Sequence, residues 1–241
     1  MSKHLPVSNT RWQESQKHIL LSWQKRNLES ERQQAERSLL PLLQRYAKLY
    51  PDDASILEIG CGPLCLCRSL VHKCITYLDP MVDDFRRLFP GELPEEGEYL
   101  ATTAERIPKS NASYELITCL NAISHTLNPE LIMNEIERLL KPEGRLILAI
   151  RTHNSLEARL HYLAVKTFPH LYCKTRPYYY SLTGIQRTLQ RHFHIEDIIV
   201  HQSRATPVPF CSRKQHIFIC SRKKPQTSTL IGDDSPSTPI L

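Results

Sequence analysis

Between residues 51 and 150, short apolar runs alternate with mixed ones. "SILEIG" (55–60), "CITYLD" (74–79), the start of "EYLATTAERIP" (98–108), "YELITCLN" (114–121) and "RLILAI" (145–150) read as strands. Their apolar residues are nearly continuous, as expected of strands buried on both faces. "PLCLCRSLVHK" (63–73) reads as a helix with Pro63 in its first turn, where no backbone donor is needed. "PMVDDFRRLFP" (80–90) reads as a second helix, ended by Pro90. "PELIMNEIERLL" (129–140) is amphipathic, and its pattern turns Leu131, Ile132, Ile136, Leu139 and Leu140 inward. "PDD" (51–53), "KSNAS" (109–113) and "KPEG" (141–144) read as turns. Strands alternating with helices predict an α/β fold, a mostly parallel sheet covered on both faces. Ligands of such sheets bind at the carboxyl ends of the strands, near the point where strand order reverses.

Outside this core the rhythm changes. Residues 1–10 read as a lead-in, and residues 11 to about 50 read as helix. Trp12, Ile19, Leu20 and Trp23 fall on one face, and Leu28, Ala35, Leu39, Leu42, Leu43 and Tyr46 make a looser stripe. Pro41 predicts a kink or a new start. The 1–50 segment is therefore an N-terminal helical extension, either packed on the domain or closing over its mouth as a lid. The domain proper runs over 51–222. Within it, 151–182 is rich in His, Tyr, Arg and Lys and stands where a substrate cap would be inserted. "TGIQRTLQRHF" (183–193) is helical, and "HIEDIIV" (194–200) and "KQHIFICSR" (214–222) are strands expected to pair as a hairpin-like edge. Residues 223–241 have a disordered composition.

Composition narrows the class. The chain has 241 residues, 41% hydrophobic and 23% charged, enough for one domain with a real core. No apolar run approaches the roughly 20 residues that span a bilayer. The N-terminus lacks the apolar core of a signal peptide, so a cytoplasmic location is expected. The eight cysteines are scattered and are read as reduced thiols. Cys61, Cys65 and Cys67 cluster, but without the spacing of a zinc site, and no metal is expected. A net charge of +6 permits nucleic-acid or acidic-substrate binding without demanding it.

The chemistry concentrates at "ILEIGCGPLCLC" (56–67). Gly60 and Gly62 permit a close backbone approach to a ligand. Glu58 sits near the mouth, and Asp79 ends the next strand about twenty residues on, placed to accept hydrogen bonds from ribose hydroxyls. An adenosine-containing cofactor fits. A dinucleotide does not, because Cys65 replaces its third glycine and Pro63 removes an amide that a pyrophosphate would use.

The stretch from about 55 to 150 resembles the class I S-adenosylmethionine-dependent methyltransferases, in particular the small-molecule, type 11-like branch. "ILEIGCGP" is similar to that family's first motif, "YLDP" to its second and "ATTAERIP" to its adenine-covering loop. "YELITCLNAISHTLNPELIMNEIERLLKPEGRLILAI" resembles its fourth strand, next helix and fifth strand. "YYYSLTGIQRTLQRHFHIEDIIV" resembles its last helix and sixth strand. Three positions depart from the family: Leu64 for its third glycine, Thr103 for a frequent aspartate and Ser124 for a frequent glutamate.

The resemblance implies a Rossmann-like, seven-stranded fold and S-adenosylmethionine as cofactor. Glu58 and Gly60 would lie at its methionine end, Cys61 would also contact it, and Gly62 would permit close approach. Asp79 would take the ribose, Pro80 the adenine wall, Ala104 and Glu105 the adenine edge. Asn121 would border the methyl-transfer point. His125 and His153 are the candidate general bases, and Tyr178, Tyr179 and Tyr180 a candidate substrate wall. Arg151, Arg159, Lys166, Lys174 and Arg176 are compatible with an anionic substrate or with a solvated face. The expected partner is a small-molecule acceptor. An RNA or protein acceptor is less favoured, and a non-catalytic partner protein keeping the fold is the third reading.

Overall fold

The computed structural model describes residues 7–72, 74–154, 177–205 and 212–223. The start of the lead-in, most of the 151–182 cap and the 224–241 tail lie outside the described residues. Two helices come first, α1 (Asn9–Gln24) and α2 (Leu28–Ala47). Next follow β1 (Ser55–Ile59), β2 (Cys74–Leu78), α3 (Val82–Leu88), β3 (Glu98–Leu100), β4 (Tyr114–Leu120), α4 (Pro129–Leu139) and β5 (Leu140–His153). The two-residue β6 (Tyr180–Ser181), α5 (Leu182–His192), β7 (Phe193–Ala205) and β8 (Ser212–Arg222) complete the described elements.

The sheet runs β3-β2-β1-β4-β5-β8-β7, with β6 paired to the end of β5. Pairing is parallel from β3 to β5 and antiparallel across β5/β8 and β8/β7. The seven-stranded expectation thus becomes seven strands in sequence plus a short eighth. The hairpin-like pairing of the last two strands is present, with β8 inserted between β5 and β7.

Alternate residues of each strand serve opposite faces. Leu57, Ile59, Ile117, Cys119, Leu146, Leu148 and Phe218 pack with Ile132, Met133 and Ile136 of α4 and with Ile185 and Leu189 of α5. Ile56, Leu116, Ile147, Ala149, Ile217 and Ile219 pack with Leu39 and Leu43 of α2, Val82 and Phe85 of α3, and Leu66 and Cys67. With both faces covered, a polar side chain on an inner strand is costly unless it is bonded. That is why the strands read as continuous apolar runs.

Four local expectations are corrected. Residues 63–72, the described part of the expected 63–73 helix, do not form an α-helix; they form a turn and one 3-10 stretch, Leu66–Ser69. Cys65 takes a left-handed backbone, φ 44°, which no right-handed helix can include. The Glu58 carboxylate claims the Leu66 and Cys67 amides that follow. Pro41 does not begin a new helix: α2 runs through it, and the break falls earlier, at Asn27, whose side chain caps α2 by accepting from the Ser30 amide. "KPEG" is not a free turn but an irregular start of β5, where the register slips between Tyr114 and Leu116.

Leu131, finally, is 45% exposed, and Met133 takes the inward place. The helical period puts Pro129, Ile132, Met133, Ile136 and Leu139 on one face and Leu131 off it. Ile136→Ala is therefore expected to cost about 3 kcal/mol. Leu131→Ala should stay within about 1 kcal/mol. Urea midpoints of the two variants check the difference.

Candidate functional site

A cavity of about 860 Å³ opens at the carboxyl ends of β1, β2, β4 and β5. Its floor is the glycine turn; its roof is Trp12, Gln16, Ile19 and Trp23 of α1 with Ala35 and Leu39 of α2. The size lies within the usual range for small-molecule sites, roughly 300–1,000 Å³.

The floor is built by backbone bonds between strand ends. The Gly60 amide donates to Leu78 O at 2.7 Å, Asp79 N to Leu100 O at 3.2 Å and Asn121 N to Ala149 O at 2.7 Å. Gly60 has φ +68°, and any Cβ there would run into the Ala122 side chain. Gly62 has φ +53°, and a Cβ there would project into open space, with only Trp23 at 4.0 Å. Gly60 is thus a packing requirement, and Gly62 leaves bare backbone facing the cavity. Leu64 lies in the cavity wall, and the positive φ nearby belongs to Cys65 rather than to Leu64. The position where the family has its third glycine places no demand for one on this backbone.

Two carboxylates brace this floor. Glu58 Oε1 accepts from Leu66 N at 3.0 Å and Oε2 from Cys67 N at 2.9 Å. Asp79 Oδ2 accepts from Gly62 N at 3.1 Å and Oδ1 from Met81 N at 2.9 Å. Both are buried, and desolvation pushes Glu58 up to about 7 and Asp79 up to about 6, against the opposing pull of those amides. The folded protein therefore holds protons that the unfolded chain has already released between about pH 4 and 7. Its stability through these two groups is greatest at the acid end of that window and falls as pH rises through 6 and 7. The difference in melting temperature between pH 5.5 and pH 7.5 should shrink in Glu58→Gln, which removes the larger of the two shifts.

All the residues assigned to the cofactor line this one cavity: Glu58, Gly60, Cys61, Gly62, Asp79, Pro80, Ala104, Glu105 and Asn121. Glu105 is also engaged below, where Oε1 accepts from Leu127 N at 2.7 Å and from Asn128 N at 3.0 Å. Asn121 holds φ 60°, a conformation asparagine tolerates better than most residues. Its Oδ1 accepts from Gln215 Nε2 at 3.3 Å.

Of the two candidate bases, His125 lines the cavity and His153 does not. His153 is buried against the Tyr179 ring, centroids 4.5 Å apart. The three tyrosines read as a substrate wall lie away from this cavity. Tyr178 and Tyr180 sit in the core beneath the sheet, and Tyr178 Oη donates to Leu127 O at 2.6 Å. Burial of their large rings outweighs any cavity-facing position, and none of the three lines the cavity.

Residues the sequence reading did not assign to the cofactor or the acceptor also line it. Trp12 Nε1 and Gln16 Nε2 both donate to His125 O, at 3.1 and 3.2 Å, which ties α1 to the wall. Gln215 arrives from β8, and Ala122 and Met81 from the strand ends. The apolar stripe of α1 was a signal for the first group. Nothing local marked Gln215.

A mostly parallel sheet with a reversed penultimate strand, carrying a glycine turn between two buried carboxylates, defines the class I S-adenosylmethionine-dependent methyltransferase fold. A family model described as a methyltransferase domain matches residues 31–192, about two-thirds of the chain, and the chain belongs to that family. It is 30% identical over 108 residues to a ubiquinone biosynthesis O-methyltransferase of Xanthomonas axonopodis pv. citri (strain 306), covering 43% of this chain and 45% of the relative. The corresponding enzyme of Bartonella tribocorum is 26% identical over 104 residues, 41% of each chain. The match thus spans less than half the length of these curated relatives. Among solved structures, the fold is shared with a geranyl diphosphate C-methyltransferase of Streptomyces coelicolor A3(2) in complex with Mg2+, geranyl diphosphate and S-adenosyl-L-homocysteine. That likeness has TM-score 0.58 at 11% identity and covers 81% of this chain and 82% of the other. A SAM-dependent methyltransferase of Methanosarcina mazei gives TM-score 0.54 at 18% identity, covering 76% and 97%. No described helix is long and apolar enough to cross a membrane.

Proposed function

We propose that the chain transfers the methyl group of S-adenosylmethionine to a small-molecule acceptor. The observation that carries this is the floor of the cavity, where the bare Gly60–Gly62 backbone lies between the Glu58 and Asp79 carboxylates under a roof of α1 and α2. The residues fit the cofactor. Asp79 stands at the end of β2 beside Pro80, suited to a ribose, while Ala104 and Glu105 flank the space suited to adenine. The carboxylates at the β1 and β2 ends favour its positive groups, which in turn favour their ionised forms. Bound there, the cofactor supplies an electrophilic methyl group on a sulfonium sulfur. The chain's own task is to orient the acceptor beside Asn121 and to keep water out, which Trp12, Ile19 and Trp23 do from above.

His125 is the group in this cavity suited to take a proton from a hydroxyl acceptor. An oxygen acceptor agrees with the curated relatives, which are named O-methyltransferases. The non-catalytic reading rested on Leu64 together with Thr103 and Ser124, and at Leu64 the backbone makes no use of a glycine.

Calorimetric titration with S-adenosylmethionine, S-adenosylhomocysteine and NAD tests the proposal. Micromolar binding of the first two and none of NAD is expected. Absence of binding by either sulfur compound would sink it.

A further inference from the structure

Just past the carboxyl end of β4, Asn121 holds φ 60° while its backbone amide donates to Ala149 O at 2.7 Å. Its backbone is thus fixed, and its side chain springs from a set point in the cavity wall. Oδ1 of that side chain accepts from Gln215 Nε2 at 3.3 Å. Gln215 is held as firmly. It lies on β8, in register with Arg151 of β5 on one side and Gln202 of β7 on the other, and it too lines the cavity.

The two arms of a side-chain amide are not equivalent: the carbonyl only accepts and the NH2 only donates. With Oδ1 engaged, Nδ2 is the arm of Asn121 left for a ligand, and among the described residues no acceptor meets it. Methyl transfer consumes a lone pair. The accepting atom gives that pair to the methyl carbon, the carbon–sulfur bond breaks with its electrons left on sulfur, and the proton of a hydroxyl acceptor goes to His125. A hydroxyl oxygen has two lone pairs, so one can take an N–H while the other attacks. A neutral amine has a single pair, which an N–H aimed at it would occupy. An amine asks instead for a carbonyl, to accept from its own N–H.

We propose that Gln215 is a positioning residue for the acceptor: by occupying Asn121 Oδ1 it leaves the Asn121 NH2 to meet the accepting atom, and this selects an oxygen over an amine nitrogen. This rests on the methyltransferase reading and deepens it from the class of acceptor to the accepting atom. The same donor stabilises the charge of an oxygen that has lost its proton. Gln215 acts through Asn121, so its effect depends on which arm of that amide it takes.

The test uses protein saturated with S-adenosylhomocysteine, so that no turnover intervenes. Two neutral probes on one ring are titrated: 4-nitroanisole, whose ether oxygen only accepts, and 4-nitroaniline, whose amino group mainly donates. The ether should bind about fivefold more tightly than the aniline, the scale of one hydrogen bond. It should also shift the side-chain amide signals of Asn121 in proton–nitrogen spectra, assigned by their loss in Asn121→Asp. In Gln215→Glu the order should invert. The new carboxylate only accepts, so Asn121 turns Nδ2 to it and offers Oδ1 to the cavity. A loss of packing would weaken both probes without inverting them. The double variant Gln215→Glu/Asn121→Ala excludes direct contact of the new carboxylate with the aniline, because an inversion carried by Asn121 disappears there. An unchanged order in Gln215→Glu, an inversion that survives Asn121→Ala, or a parent protein that binds neither probe or prefers the aniline would each overturn the proposal. Failure of S-adenosylhomocysteine itself to bind would remove the reading beneath it, and shows separately in the first titration.

Discussion

Gly60→Ala is expected to destabilise the protein by about 3 kcal/mol and to remove measurable cofactor binding. Two effects add. The new methyl would occupy the space of the Ala122 side chain, and overpacking of a closed site costs roughly 1–3 kcal/mol. The backbone at φ +68° also becomes strained, by about 1–2 kcal/mol for a residue with a Cβ. Relief is limited because the Gly60 amide is tied to Leu78 O and the next residue's amide donates to the same oxygen. The pair Gly60→Ala/Ala122→Gly separates the two effects. If the collision dominates, the second change recovers more than half of the lost stability; if the strain dominates, it recovers little. Denaturant unfolding of the two single variants and the double variant supplies the numbers. A Gly60→Ala protein as stable as the parent would mean that β1 and the Ala122 loop are not packed as described.

Asp79→Ala is expected to weaken S-adenosylmethionine binding at least 100-fold, about 2.7 kcal/mol. Its effect on stability should be smaller, about 1–2 kcal/mol. The substitution leaves the Gly62 and Met81 amides without their acceptor, which costs stability. It also removes a carboxylate whose ionised form is disfavoured by burial, which returns part of the loss above pH 6. The same ionisation sets a pH signature on binding. If the cofactor needs the ionised form, affinity falls about tenfold per pH unit below about 6, and this slope is absent in Asp79→Ala. Affinity independent of pH from 5 to 7.5 in the parent would mean that Asp79 does not meet the ligand as a carboxylate.

Much of the fold and site was legible in the residues. The strands could be read because a sheet buried on both faces needs unbroken apolar runs, and those runs fall at β1, β2, β4 and β5. The glycine turn on the floor of the cavity could be read because few residues tolerate a left-handed backbone, and Gly60 and Gly62 carry that constraint in their identities. Where the reading failed, a neighbour distant in sequence had overridden a local pattern. The 63–73 segment has the composition of a helix, yet the Glu58 carboxylate takes two of its amides, and a carboxylate eight residues back leaves no mark on periodicity. Tyr178 and Tyr180 looked like a pocket wall, since tyrosine suits both a wet surface and a core. The choice fell to α4 and α5, which enclose them.

The sequence by itself determined the layered α/β architecture, the glycine turn at the end of β1 and the two acids that brace it. All follow from local rules: the period of apolar residues, the freedom of glycine and the spacing of strand ends. Only the tertiary structure decided what lines the far side of the cavity. Gln215 meets Asn121 across 94 residues, and Trp12 reaches the His125 carbonyl across 113. Those meetings depend on β8 entering between β5 and β7 and on α1 folding back over the strand ends. The register of long-range pairing and the docking of a helix are settled by burial summed over many residues, and no single residue along the chain encodes it.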